Sequence, residues 1–291
     1  MRKLLSIILL TASLFAQANN IFIINPSIHS AGVGNSGIGD FNSKNLFHNP
    51  AFVVGESGVS ISSVKWLPNL VDDMGYTNLQ YNSGKFGVEL FYFDYGTQIE
   101  ANPDGIIVGD FNSSSTRLGV SYGHDLSGWL LGGRLNIYQH DFYESDGSST
   151  NYGLDFGVHK SMIGETGGAS FGIVLKDLGG ESKFQDVKMS LPMSVGVGIK
   201  YSLIKPVFTF NTLLDVKLYE EFSSFGVGTE YIFSNIGLFK LGYYSEPEYE
   251  VDYITVGAGI KTSSISIDLA YLFNEESFHN ETLMFSFGFN F

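Results

Sequence analysis

The stretch Leu283-Met284-Phe285-Ser286-Phe287-Gly288-Phe289-Asn290-Phe291 has Leu or Phe at every odd position and Met, Ser, Gly or Asn at every even one. A repeat of two puts successive side chains on opposite faces of a strand, so one face is wholly apolar and the other small or polar. In a soluble sandwich the apolar face would be core. Here the strand ends on an aromatic residue, and Phe287, Phe289 and Phe291 together resemble the assembly signal that outer-membrane barrels present to their insertion machinery.

The same alternation recurs upstream. Ile265, Ile267, Leu269, Tyr271 and Phe273 oppose Ser264, Ser266 and Asp268, while Ile254, Val256, Ala258 and Ile260 oppose Thr255, Gly257, Gly259 and Lys261. Phe208, Phe210, Leu214 and Val216 oppose Thr209, Asn211, Asp215 and Lys217, and Tyr152, Leu154, Phe156 and Val158 oppose Gly153, Asp155, Gly157 and His159. Segments of about ten residues are long enough to cross a bilayer at the usual strand tilt. The pattern predicts strands near 58–66, 74–82, 85–96, 115–125, 128–141, 150–161, 167–177, 192–202, 205–217, 222–233, 236–245, 252–261, 263–273 and 281–291. The fold class expected is all-β, a transmembrane antiparallel barrel of about fourteen strands.

The connections give an independent check. Short turns at 82–84, 125–128, 202–204, 234–235 and 262–263 alternate with longer loops at 67–73, 97–114, 142–149, 178–191, 218–221, 246–251 and 274–280. Short periplasmic turns and long outer loops are the habit of bacterial barrels, and this places both termini on the periplasmic side. The long loops carry much of the acid: Asp72, Asp73, Asp104, Asp110, Glu144, Asp146, Glu220, Glu221, Glu246, Glu248, Glu250, Glu275 and Glu276. A solvated rim is the plain reading; divalent-ion bridging to lipopolysaccharide, or docking of a basic partner, is the sharper one.

Composition agrees. Gly is 35 of 291 residues, against a usual share of about 7%, and aromatics reach 15% while charged residues are 16%. Arg2, Lys3, the apolar run Leu4–Phe15 and Ala16-Gln17-Ala18 read as a secretory signal peptide over 1–18, too short in its apolar part for a spanning helix. Its removal takes away two cations and no acid, so the formal charge moves from −14 to −16. That balance argues against nucleic acid as a partner. With no Cys, disulfide staples and thiolate metal sites are excluded.

Residues 19–57 do not alternate. Gly32-Val33-Gly34-Asn35-Ser36-Gly37 matches G-x-G-x-x-G formally, but no strand precedes it and no helix follows, so it is not read as a dinucleotide site. The expectation is a plug or hatch over 19–57, folded inside a barrel of 58–291, with its backbone polar groups paired to lumen side chains or water.

By parity, the lumen receives Glu89, Arg117, Arg134, Asp155, Lys176, Asp215, Glu230 and Asp268. Pairing with one another or with the plug is the plain expectation, because unpaired buried charge is costly; a polar conduit or partner cavity is the other. Phe91, Phe93 and Tyr95 also face inward, either lining an apolar pocket or packing on plug residues such as Phe47 and Phe52.

Catalysis is not expected. His29 and His48 fall in the plug, His124 and His159 near periplasmic ends, and only His140 and His279 approach the outer rim. His140 and Asp141 are neighbours in a strand and point to opposite faces, so they make no dyad. No metal spacing or cofactor motif appears, and none is expected.

Ser30-Ala31-Gly32-Val33-Gly34 followed by Leu46-Phe47-His48-Asn49-Pro50-Ala51 resembles the N-terminal hatch of the PorV/PorQ family, a branch of the FadL-type fourteen-stranded barrels. Asp94-Tyr95-Gly96-Thr97, Asp104-Gly105, Gly109-Asp110-Phe111, Ser121-Tyr122-Gly123, Lys176-Asp177-Leu178-Gly179 and Leu191-Pro192 extend the resemblance over nearly the whole mature chain. Two positions depart: Asn42-Ser43 stands where the family has an acidic pair, and Phe52 where it has Gly. The resemblance makes Gly32, Gly34, Asn49, Pro50 and Ala51 the hatch motif. It implies a non-enzymatic scaffold or shuttle in type IX secretion, binding secreted cargo or secretion-complex subunits. A FadL-like channel for long-chain fatty acids or other hydrophobic small molecules is the alternative.

Overall fold

The computed structural model describes residues 18–68, 71, 73–102, 104–141, 147–184, 187–273 and 282–291. The expected leader, apart from Ala18, lies outside them, as do Asp72, Glu144, Asp146, Glu275, Glu276 and His279.

Fourteen strands close into one antiparallel barrel. They are β1 (Gly58–Lys65), β2 (Gly75–Asn82), β3 (Phe86–Ala101), β4 (Ile107–Leu126), β5 (Trp129–Asp141), β6 (Ser148–Gly164), β7 (Gly167–Gly179), β10 (Ser194–Ile204), β11 (Phe208–Tyr219), β12 (Ser223–Phe233), β13 (Gly237–Glu246), β14 (Val251–Lys261), β15 (Ile265–Phe273) and β16 (Thr282–Asn290). A two-stranded hairpin, β8 (Ser182–Phe184) with β9 (Val187–Met189), stands in the connection after β7. Successive barrel strands pair throughout, β7 with β10 across the hairpin, and β1 closes the ring on β16, from Gly58 opposite Asn290 to Val64 opposite Met284. Both ends of the barrel sequence therefore lie at one mouth.

At that mouth the turns are tight. Ser127 and Gly128 have φ of 54° and 80°, and Ser234 and Asn235 have 51° and 58°. Two consecutive positive φ values are what a two-residue hairpin needs to match strand twist.

The two faces differ sharply. Leu283, Phe285, Phe287, Phe289 and Phe291 point outward and are between 39% and 68% exposed. Val88, Leu90 and Tyr92 on β3, and Val195, Val197 and Ile199 on β10, do the same. Aromatic pairs such as Phe86–Tyr122, Phe208–Tyr231 and Tyr81–Phe291 ring the short-turn mouth. A continuous apolar belt with an aromatic girdle is a surface covered by lipid, since water would leave it unfavourably exposed.

Two connections differ from the sequence expectation. Residues 97–114 are not a loop: β3 and β4 run on as a two-stranded ribbon to a turn where Gly105 N donates to Asn102 O at 2.8 Å. Ile99, Ile106, Ile107 and Val108 supply the β-branched residues that favour this extension. Residues 178–191, read as one loop, contain the β8–β9 hairpin.

Candidate functional site

The segment from Ile21 to Ser57 runs along the inner face of the barrel. Two short helical turns shape it. Ser27 caps Ile28–Ala31, its side chain accepting from Ser30 N, and Asn49 caps Pro50–Val54, its side chain accepting from Ala51 N. Asn49 also donates to Val158 O on β6 at 3.1 Å, tying the turn to the wall.

Glycines on the inward face make the approach possible. A Cβ on Gly157 would lie 2.0 Å from Asn49 Oδ1, on Gly132 2.3 Å from Ala51 N, on Gly172 2.0 Å from Ile38 O, and on Gly242 2.0 Å from Gly34 N. Gly34 itself has φ of +68°, and a side chain there would strike Tyr243 O at 2.3 Å. Gly32 passes beside Lys240 and Gly257 in the same way. Backbone lies against backbone along this track, so the glycine-rich composition has a local cause.

The eight charged residues read by parity as inward are distributed as follows. Glu89 Oε1 accepts from Arg117 at 2.8 Å and from Arg134 at 2.9 Å. Each guanidinium also holds the segment: Arg117 donates to Phe22 O at 2.8 Å and Arg134 to Leu46 O at 3.2 Å. Asp215 accepts from Gly37 N at 2.7 Å and Ile38 N at 2.9 Å. Asp155 accepts from Asn136 at 2.9 Å and Glu230 from Asn211 at 2.8 Å. Asp268 pairs with Lys240 and lies 3.3 Å from His29 Nδ1. Lys176 Nζ sits 3.6 Å from the centre of the Phe47 ring, whose environment also includes Arg117 at 4.8 Å.

Parity missed a second ionic group that includes Lys200 and Lys240. His29 Nε2 lies 3.2 Å from Asp40 and 3.5 Å from Glu230, and Lys200 pairs with Asp40 at 2.6 Å. Lys240 Nζ is 2.8 Å from His29 Nδ1. Burial and the Lys240 ammonium push His29 down, but Glu230, Asp268 and Asp40 outweigh them and raise it to about 9. Burial pushes Asp40 up, yet Lys200 and His29 hold its carboxyl well below the usual range. Both lysines were legible, since each shares an inward parity with glycine or serine neighbours.

Toward the long-loop mouth the lumen turns apolar. Val64, Trp66, Met74, Tyr76, Phe91, Phe93, Tyr138, Tyr244, Tyr253, Leu272 and Met284 form one buried cluster with Phe22 and Ile28 of the segment. Phe22 sits 4.8 Å from both the Tyr138 and His140 rings. Phe91 packs on Tyr76 at 5.3 Å and Phe93 on Tyr95 at 4.9 Å. Phe52, proposed from sequence as a partner for Phe91, belongs instead to a separate cluster with Leu46 and Val53 and meets His159 at 5.2 Å. His140, expected near the outer rim, stands one residue from the end of β5; it is buried, 2.7 Å from Ser115 Oγ, and β4 runs on past it.

Some rim acids stitch loops. Asp73 accepts from Thr97 N and Oγ1 at 2.9 and 2.7 Å, and Glu248 accepts from Ser223 N at 3.0 Å. At the opposite mouth a polar crevice of about 40 Å³ opens between the segment and β1, β2 and β14 to β16.

An apolar outer belt, closed strand pairing and a polar-to-apolar lumen define a membrane β-barrel. No family model matches the chain, and no curated protein matches it. Solved structures do match. A deltaS2S3 mutant of the monoaromatic hydrocarbon channel TodX is 13% identical with a TM-score of 0.59, over 91% of this chain and 99% of that one. The Pseudomonas putida toluene transporter TodX is 11% identical with a TM-score of 0.52, over 90% and 97%. A Pseudomonas aeruginosa FadL homologue is 9% identical with a TM-score of 0.48, over 89% and 96%. At these identities the likeness is one of fold. The TodX structures are those of a transporter and channel, and the chain resembles them in architecture.

Proposed function

We propose that this chain is an outer-membrane channel for small apolar molecules, closed by residues 19–57 acting as a hatch. Residues 1–18 serve as the export signal and are removed. The belt contacts lipid, and the acidic rim faces the lipopolysaccharide layer. No enzymatic role is assigned.

The observation that carries the reading is the apolar chamber under the long-loop mouth. Its wall is aromatic and aliphatic from eight strands, and the segment's own Phe22 and Ile28 fill it. A barrel serving only as a membrane anchor has no need of an apolar chamber filled by a separate length of chain. Withdrawing Phe22 exposes a pocket suited to an apolar guest, because burying such a guest releases about 25 cal/mol per Å² of apolar area. TodX, whose fold this chain resembles, is a monoaromatic hydrocarbon channel, which agrees with a guest of this kind. The comparisons fit this reading better than the secretion scaffold that the family resemblance implied, for which they offer no support.

The test is uptake of radiolabelled toluene into cells that express the chain, with arabinose as a polar control. Faster toluene entry and unchanged arabinose entry is the expected outcome. Equal acceleration of both would make it a general pore, and no acceleration of either would remove the transport reading.

A further inference from the structure

The crevice at the short-turn mouth is built differently from the rest of the lumen. Lys44 of the segment and Lys261 at the end of β14 both line it, with Ser60, Ser266 and Ser286 from the wall. Elsewhere, among the described residues, Arg117, Arg134, Lys200 and Lys240 each pair with a carboxylate, while Lys176 and Lys217 do not. Here, among the described residues, neither lysine has a carboxylate within 4.0 Å.

The two carboxylates at the crevice are already engaged. Asp268 is taken by Lys240 and His29, and Glu56 accepts from Asn290 Nδ2 at 2.9 Å. Lys44 donates to Ser266 Oγ at 2.5 Å. A Cβ on Gly288 would lie 2.5 Å from Lys44 Nζ, so the absence of a side chain there makes room for the ammonium. Burial and then the like charge of Lys261 push Lys44 below its ordinary value, against the opposing pull of Asp268 and Glu56. In a chain with 30 acidic and 16 basic residues, two cations at one crevice with no carboxylate in direct contact need an explanation. The volume of about 40 Å³ suits it: a water needs roughly 10–15 Å³ by this measure, so the space holds about three waters or one small oxyanion.

We propose that this crevice binds one small oxyanion, inorganic phosphate or the carboxylate of a small organic acid, held between Lys44 on the segment and Lys261 on the wall. The serine hydroxyls complete the donor set, since two ammonium groups and three hydroxyls offer charge-assisted bonds to an acceptor-only ligand. The ion ties the segment to β14. Its donors, Lys44, Lys261 and the three serines, lie outside the apolar cluster, and the site stands whether or not the barrel transports apolar molecules.

The experiment is calorimetric titration of the full mature chain, in neutral detergent and low-salt buffer, with inorganic phosphate and separately with acetate. Saturable one-to-one binding of at least one probe is expected, weakened tenfold or more in Lys44→Gln and in Lys261→Gln and unchanged in Lys85→Gln, which lies outside the crevice. Which probe binds tells phosphate from carboxylate. Heat-dependent gel migration confirms that each variant is a folded barrel; if Lys44→Gln does not fold, Lys44→Arg must keep binding and Lys261→Gln decides. Absence of saturable binding by either probe, or binding indifferent to both Lys→Gln changes, overturns the site.

Discussion

Replacing Gly172 with alanine tests whether the segment depends on bare backbone in the wall. A Cβ there would stand 2.0 Å from Ile38 O, with Ile38 C at 2.9 Å, where ordinary contact begins near 3.4 Å. The clash is with backbone, so no side-chain rotation relieves it and the segment must retreat by about 1.4 Å. Gly37 N and Ile38 N now donate to Asp215 at 2.7 and 2.9 Å. The same retreat takes both bonds beyond hydrogen-bonding reach. Bonds to a charged acceptor are worth about 1.5–3 kcal/mol each, so the cost is about 3–6 kcal/mol, borne by the segment and not by strand pairing. That corresponds to an open population raised by a factor of about 10²–10⁴. The chain has no cysteine, so Ser36→Cys, at a fully buried position, is a clean reporter for a membrane-impermeant maleimide. Gly172→Ala should speed its labelling at least a hundredfold, and Gly237→Ala, with nothing within 4 Å, should not. Equal labelling in the two variants, with both barrels folded, would refute the backbone-contact argument.

Three further outcomes follow from the same geometry. Glu89→Gln leaves two buried guanidinium groups facing each other without a carboxylate, and should lower unfolding free energy by about 3–5 kcal/mol in urea denaturation. His29 is raised from 6.5 to about 9, so the stability it adds is complete below pH 6.5 and is lost as pH climbs through 9; the melting temperature should fall across that window, and His29→Gln should remove most of the fall. Deleting Phe291 shortens the outward aromatic row of β16 and, if that row is the assembly signal, should reduce the heat-modifiable fraction recovered in outer membranes several-fold.

How far the sequence reading reached depends on what alternation can record. Period two assigns a face to each residue, and so Glu89, Arg117 and Asp268 could be sent inward before any partner was known. It fails where the period slips. Asp177 has φ of 58°, and the β6–β7 register shifts between Leu154 and Phe156, so Asp177 is buried in the lumen beside Lys176. Alternation also says nothing of distance across the lumen. The placing of Lys176 over Phe47, or of His29 among three carboxylates, depends on the path of residues 21–57, which have no repeat to read. The glycines were visible as an excess, but their track became meaningful only once Gly34, Ile38 and Asn49 were seen lying against Gly242, Gly172 and Gly157.

The most direct test of the central claim uses the two tryptophans. Trp66 lies in the apolar chamber, and Trp129 is 42% exposed on the outer face. In a Trp129→Phe background, in nanodiscs, Trp66 emission should be quenched saturably by bromobenzene, and at lower concentration once Phe22→Ala vacates the chamber. Quenching that rises linearly without saturation, and is the same with and without Phe22, would mean that the aromatic meets Trp66 only through the lipid, and the chamber would then be packing and not a binding site.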